Sequence, residues 1–192
     1  MLLDALKDFS WYNEPENVRF QEDGLLVDSL SETDFWANMA HRFNKDDGHF
    51  FYTTAESDFT LTVCTAAENY LPFAQAGIMA RLDSFNWIKA SLMDQGTPAA
   101  EIGSVVTQHG HSDWASAPLP YPLQKVWYRL KRKGGDMVLS YSPDGERFIK
   151  LRQFRLVANE AEIRIGAYVC NPGKGEFAAR IEQVDFKPLA SN

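Results

Sequence analysis

The chain is short of cysteine, of basic clusters and of long apolar runs, and each shortage removes a class of protein. Only two cysteines occur, Cys64 and Cys170, far apart and outside any CxxC or zinc-ligand spacing. They read as two unpaired thiols in strands, not as a disulfide framework. Formal charge is −7, from 19 Lys and Arg against 26 Asp and Glu. The densest basic stretch, Lys131-Arg132-Lys133, runs into Gly134-Gly135 and reads as a hairpin end. No large positive field is expected, so nucleic acid is not an expected partner. Apolar runs such as Leu25-Leu26-Val27 are far too short to cross a bilayer, so no membrane association is expected. The start, Met1 to Asp8, carries acids where a signal peptide has a basic n-region, which makes a cytoplasmic location the expectation. Helical periodicity is scarce too. Its best candidate, Leu2 to Asp8, is short.

What is present is strand. The 192 residues are 45 % hydrophobic and 13 % aromatic, with Phe the commonest ring at 13, enough for a sizeable core and one domain over 1–192. Short runs alternate with period two: Phe59 to Val63, Ala76 to Ala80, Trp87 to Leu92, Ile102 to Thr107, Lys125 to Lys131, Met137 to Tyr141, Ile163 to Cys170 and Arg180 to Phe186. Lys133-Gly134-Gly135-Asp136 predicts a tight hairpin, and Ser142-Pro143-Asp144-Gly145 a second turn. Many evenly spaced strands in one chain predict an all-β, two-sheet antiparallel jelly-roll sandwich.

The two parities of these strands differ in kind. Ile78, Ile88, Ala90, Leu92, Val106, Val126, Tyr128, Leu130, Ile163, Ile165 and Val169 share one parity and predict the core between the sheets. The other parity mixes rings with long polar side chains: Gln75, Met79, Arg81, Trp87 and Lys89, then Thr107, Trp127, Arg129, Arg164 and Tyr168. A concave sheet face of that composition suits a sugar, with aromatic planes on the ring's C–H face and forked polar groups on its hydroxyls. The competing reading is that these rings pack under covering segments.

At these same residues the chain resembles the DUF1349, or regulation-of-enolase-1-like, family. The resemblance rests on Trp11-Tyr-Asn-Glu-Pro15, Thr33-Asp-Phe-Trp36, Gln75-Ala-Gly-Ile-Met79 and Trp87-Ile-Lys-Ala90. It continues through Val105-Val-Thr107, Ser112-Asp-Trp114, Tyr141-Ser-Pro-Asp-Gly145 and Arg152. It implies a sandwich of the concanavalin A-like lectin/glucanase type and brings no established chemistry. Two positions depart from the family pattern: Ala74 and Met93 stand where acids are usual. Any acid/base activity inherited through those acids is therefore in doubt here.

Catalytic constellations are sparse. Glycoside hydrolysis needs two carboxyls about 5–10 Å apart. No Glu-x-Asp-x-Glu run occurs, and Glu160-Ala-Glu162 reads as a solvated turn. Glu101 and Asp113 are the acids left for an atypical sugar-active enzyme. His109-Gly-His111-Ser-Asp113 has metal-ligand spacing, but no later His completes a set, so a polar loop at the groove mouth is expected. No dense Asp/Asn loop suggests calcium. There is no nucleophile elbow and no phosphate-cradling loop before a helix. Asp113 and Trp114 are expected in a loop stiffened by Pro118, Pro120 and Pro122.

The expectation is thus a carbohydrate-binding module without catalytic residues, metal or cofactor. Its groove would use Trp36, Gln75, Arg81, Trp87, Lys89, Thr107, Asp113, Trp114, Arg129 and Tyr168. A regulatory module that binds another protein is the alternative, and an atypical glycoside-active enzyme the third reading.

Overall fold

In the computed structural model the described residues are 6–38, 42–93, 100–156 and 162–189. They form sixteen strands in two sheets, all neighbours antiparallel, and no α-helix among the described residues. Along the chain these are β1 (Ser10–Tyr12), β2 (Asn17–Gln21), β3 (Gly24–Ser29), β4 (Phe35–Asn38), β5 (Phe43–Asp46) and β6 (His49–Ala55). There follow β7 (Phe59–Ala67), β8 (Gln75–Asp83), β9 (Asn86–Met93), β10 (Glu101–Gln108) and β11 (His111–Pro118). The chain ends with β12 (Lys125–Lys133), β13 (Asp136–Ser142), β14 (Ile149–Phe154), β15 (Ile163–Cys170) and β16 (Phe177–Pro188). The first sheet runs β1-β6-β15-β8-β9-β10-β11-β4-β5, and the second β14-β13-β12-β7-β16-β3-β2.

Alternation does what the sequence implies. In β7, Phe59, Leu61 and Val63 enter the core while Thr60 and Thr62 face out, and Val126, Tyr128 and Leu130 of β12 meet them from the next strand. The core parity read from the sequence lies between the sheets without exception. The Gly134-Gly135 hairpin forms, pairing Lys133 with Asp136. Of the short helical candidate at the N-terminus, residues 1–5 lie outside the described set, and 6–8 form a turn.

One expected loop is a strand. His109 and Gly110 both take positive φ, 52° and 76°, and make a two-residue turn that pairs Gln108 with His111. Such a turn matches the twist of the strands it joins, and glycine at its second position costs nothing sterically. The residues after it, Ser112 to Pro118, therefore continue as β11 against β10 instead of forming a stiff loop.

The first sheet is strongly curled. Gly77 and Gly166 lie on its inner face, where a Cβ would come within 1.9 Å of the carbonyl oxygens of Ala90 and Phe51. Curvature that tight requires glycine at both places. The curl is enough for the two edges to meet. Tyr12 of β1 donates its hydroxyl to Asp46 of β5 at 2.8 Å, and Asn13 donates to the carbonyls of Asp46 and Gly48 at 2.8 and 3.0 Å. The β4–β5 hairpin thus closes over the concave face. Beneath it Phe35, Phe50, Met79, Trp87, Val105, Tyr168 and Cys170 form a second apolar cluster.

Candidate functional site

The hairpin fills most of the expected groove. Trp87 and Tyr168 are each 1 % exposed and meet the Phe35 ring edge-on at 6.3 Å. Arg81 is 3 % exposed, gives a forked pair of hydrogen bonds to Asp46 at 2.5 and 2.7 Å, and lies over the Tyr12 ring at 4.4 Å. Thr107 is buried with its hydroxyl 2.7 Å from that of Ser112. These four residues share the concave face as their parity requires, but they hold the hairpin down and cannot meet a ligand. Burial of a guanidinium needs such a forked carboxylate, and Asp46 supplies it.

Two more of the expected residues face elsewhere. Arg129 belongs to β12 in the second sheet, where it points away from the core, donates to the Thr62 hydroxyl at 3.1 Å and covers the Phe148 ring. Period-two alternation gives Arg129 the same signature as Lys89, although their strands lie in opposite sheets. Asp113 pairs with Val106, a core position, so it points off the concave face and binds Arg152 of β14 at 2.7 Å. One step of register separates it from Trp114, and that step reverses its face.

What stays open is a cleft of about 160 Å³ at the end of the concave face. Trp36, Trp114, Phe73 and Pro172 wall it, Met93 and Val105 line its side, and Gln75, Lys89 and Asp34 bring polar atoms to it. Trp36, Gln75, Lys89 and Trp114 are therefore brought together at one cleft. Lys89 is only 2 % exposed, and its Nζ donates to Asp34 Oδ1 at 2.6 Å. Asp34 Oδ1 also accepts from the Phe35 amide at 2.8 Å. Gln75 accepts the Tyr168 hydroxyl at 3.0 Å and donates to the Phe73 carbonyl at 3.3 Å. Burial raises the pKa of Tyr168 well above that of an ordinary phenol, so it stays a neutral donor to Gln75.

Asp34, Phe73 and Pro172 were not among the expected site residues. Asp34 sits inside the quoted Thr33-Asp-Phe-Trp36 stretch, which was the available signal. Phe73 had none: it is brought to the lip by a left-handed backbone, φ 66°, with the ring 46 % exposed. A bulky residue there is strained by roughly 1–3 kcal/mol and is held by its surroundings. Of the two departures from the family pattern, Met93 lines the cleft while Ala74 packs into the core between the sheets.

Among the described residues Asp34 is the one carboxylate lining the cleft, and it is tied to Lys89. No group of three or more His, Cys, Asp or Glu suited to a metal occurs among the described residues. The acid candidate Glu101 does not line the cleft, and the Glu160-Ala-Glu162 alternation falls largely outside the described residues. Cys64 and Cys170 are buried free thiols in strands of opposite sheets. No helix among the described residues is long and apolar enough to cross a membrane.

The described residues form a two-sheet antiparallel β-sandwich of concanavalin-like fold. A standalone module of similar length shares it: the carbohydrate-binding module CBM66 from Bacillus subtilis matches with a TM-score of 0.59 over 95 % of this chain and 96 % of that one, at 12 % identity. The chain belongs to the family described as "Protein of unknown function (DUF1349)", whose model matches residues 11–189. It is 30 % identical over 171 residues, 88 % of this chain and 84 % of the other, to "Regulation of enolase protein 1" of Saccharomyces cerevisiae (strain ATCC 204508 / S288c). It also superposes on a crystal structure of a functionally unknown protein from Saccharomyces cerevisiae, with a TM-score of 0.87 and 25 % identity over 97 % of this chain and 99 % of that one.

Proposed function

We propose that the protein is a binding module, not an enzyme, and that its cleft takes one sugar-like ring. The observation that carries this is the pairing of two indoles, Trp36 and Trp114, with a donor–acceptor floor formed by Lys89 and Asp34. Trp114 is 40 % exposed, so a flat C–H face can stack on it. The ammonium of Lys89 has three hydrogens and spends one on Asp34, leaving donors for a hydroxyl. At about 160 Å³ the cleft is small, which suits a single ring better than a long chain. A carboxylate pair of the kind hydrolysis needs is not what lines it, which favours binding over turnover. The name of the Bacillus subtilis module points in the same direction.

The test is titration of a panel of monosaccharides and short oligosaccharides, followed by tryptophan fluorescence. A saturable change is expected for at least one sugar, and Trp114→Ala should weaken it at least tenfold without lowering the melting temperature by more than a few degrees. A flat response across the panel overturns the reading. A second reading, regulation through contact with another protein, is favoured by the name of the yeast relative.

A further inference from the structure

The second sheet carries an unusual distribution of charge on its outer face. Core packing of Val126, Tyr128 and Leu130 turns the odd-numbered residues of β12 outward. Those residues are Lys125, Trp127, Arg129, Lys131 and Lys133, basic at every position but one. Several cations elsewhere sit on carboxylates: Arg19 on Asp28, Arg81 on Asp46, Lys89 on Asp34, and Arg180 on both Asp23 and Glu68. In this outward row Lys125 does so too, through Glu182. Among the described residues Arg129, Lys131 and Lys133 have no carboxylate partner, and Arg129 lies over the Phe148 ring, 3.5 Å from its centroid.

The neighbours leave this row standing clear. Thr60 and Thr62 of β7 flank Arg129 and Lys131 on one side and Val138 and Ser140 of β13 on the other, all short and uncharged, while Lys133 pairs with Asp136, whose carboxylate binds Arg155. Charged side chains on sheets often guard an edge against pairing, but β12 lies inside its sheet, between β13 and β7. The row protects no edge, and at its centre Arg129 and Lys131 have no carboxylate opposite them, which leaves them open to an anionic partner.

We propose that this row docks an extended acidic segment of a partner protein. Alternate residues of a strand lie about 7 Å apart, at ~3.4 Å per residue, so the cations repeat at the spacing of alternate carboxylates on an extended chain. Trp127 and Phe148 add apolar contact beside the charges, which suits a polypeptide carrying both kinds of side chain. A long nucleic acid would meet the wider field of a protein of net charge −7, which opposes it. Within that field the row of cations is a place where an acidic segment is attracted. The site lies on the sheet opposite the cleft and stands or falls apart from it.

The test uses the full chain and a fluorescein-labelled ten-residue peptide alternating Glu and Val, read by anisotropy. Saturable binding at 20 mM salt is expected, weakened more than tenfold at 300 mM and absent for the matching Gln–Val peptide, because screening acts within about 10 Å at 0.1 M. Lys131→Glu/Lys133→Glu should weaken binding more than tenfold while circular dichroism and the cleft's sugar response stay as in the parent. No anisotropy change up to 1 mM peptide overturns the proposal, as does binding that the double variant retains. Binding of a sulfated oligosaccharide without the peptide overturns the choice of partner.

Discussion

Replacing Asp34 by Asn separates the two roles of the ion pair at the cleft floor. The variant keeps an oxygen for the Phe35 amide but leaves the Lys89 ammonium, 2 % exposed, without its counter-charge. Breaking a buried pair by removing one partner costs about 3–5 kcal/mol. Asp34 is itself 20 % exposed, so water reaches the pair and the lower end, about 3 kcal/mol, applies. For a chain near 200 residues 1 kcal/mol moves the midpoint by about 2–4 °C, which gives a fall of about 6–12 °C. Lys89→Met alone should cost less, because the Asp34 carboxylate left behind reaches solvent. The double variant should regain most of the loss of Asp34→Asn, since a Met of similar volume needs no partner. Thermal melts by circular dichroism at pH 7 measure all three. A midpoint for Asp34→Asn within 1 °C of the parent, or a double variant less stable than Asp34→Asn, would refute the reasoning.

Gly166→Ala should destabilise by about 3 kcal/mol, because its Cβ would overlap the Phe51 carbonyl; a denaturant midpoint unchanged from the parent would contradict the stated cause of the curl. Burial pushes the Cys64 thiol up to about 12 and the Cys170 thiol well above its ordinary value, so iodoacetamide at pH 8 should label neither in the native protein and both in urea, as mass spectrometry would register. His49 is held neutral by burial: Nδ1 donates to the Asn13 carbonyl at 2.7 Å and Nε2 accepts from the Leu30 amide at 3.1 Å. Its pKa is lowered on folding, so the unfolded chain takes the proton first. Its contribution is fully present above about pH 6.5 and is lost as pH falls through the lower folded value. Melting temperature should therefore drop across that window, and His49→Gln should lack this part of the slope.

The sequence by itself determined which residues enter the core, because alternation is local: a strand that puts Leu61 inward must put Thr62 outward wherever the strand lies. From that, the two-sheet sandwich and the Gly134-Gly135 hairpin followed, and the resemblance carried by Gln75-Ala-Gly-Ile-Met79 and Trp87-Ile-Lys-Ala90 matched the family. The cleft was half legible, through Trp36, Gln75, Lys89 and Trp114. Tertiary structure decided the rest. Alternation repeats identically in every strand, so it could not tell that Arg129 and Lys89 belong to opposite sheets, nor that a tight turn at His109-Gly110 starts a strand and turns Asp113 off the concave face. Above all, closure of the concave face depends on partners remote along the chain, Asp46 with Tyr12 and Arg81, and Asp34 with Lys89. Such pairings exist only once the sheet has curled, and they convert most of an expected groove into a second core.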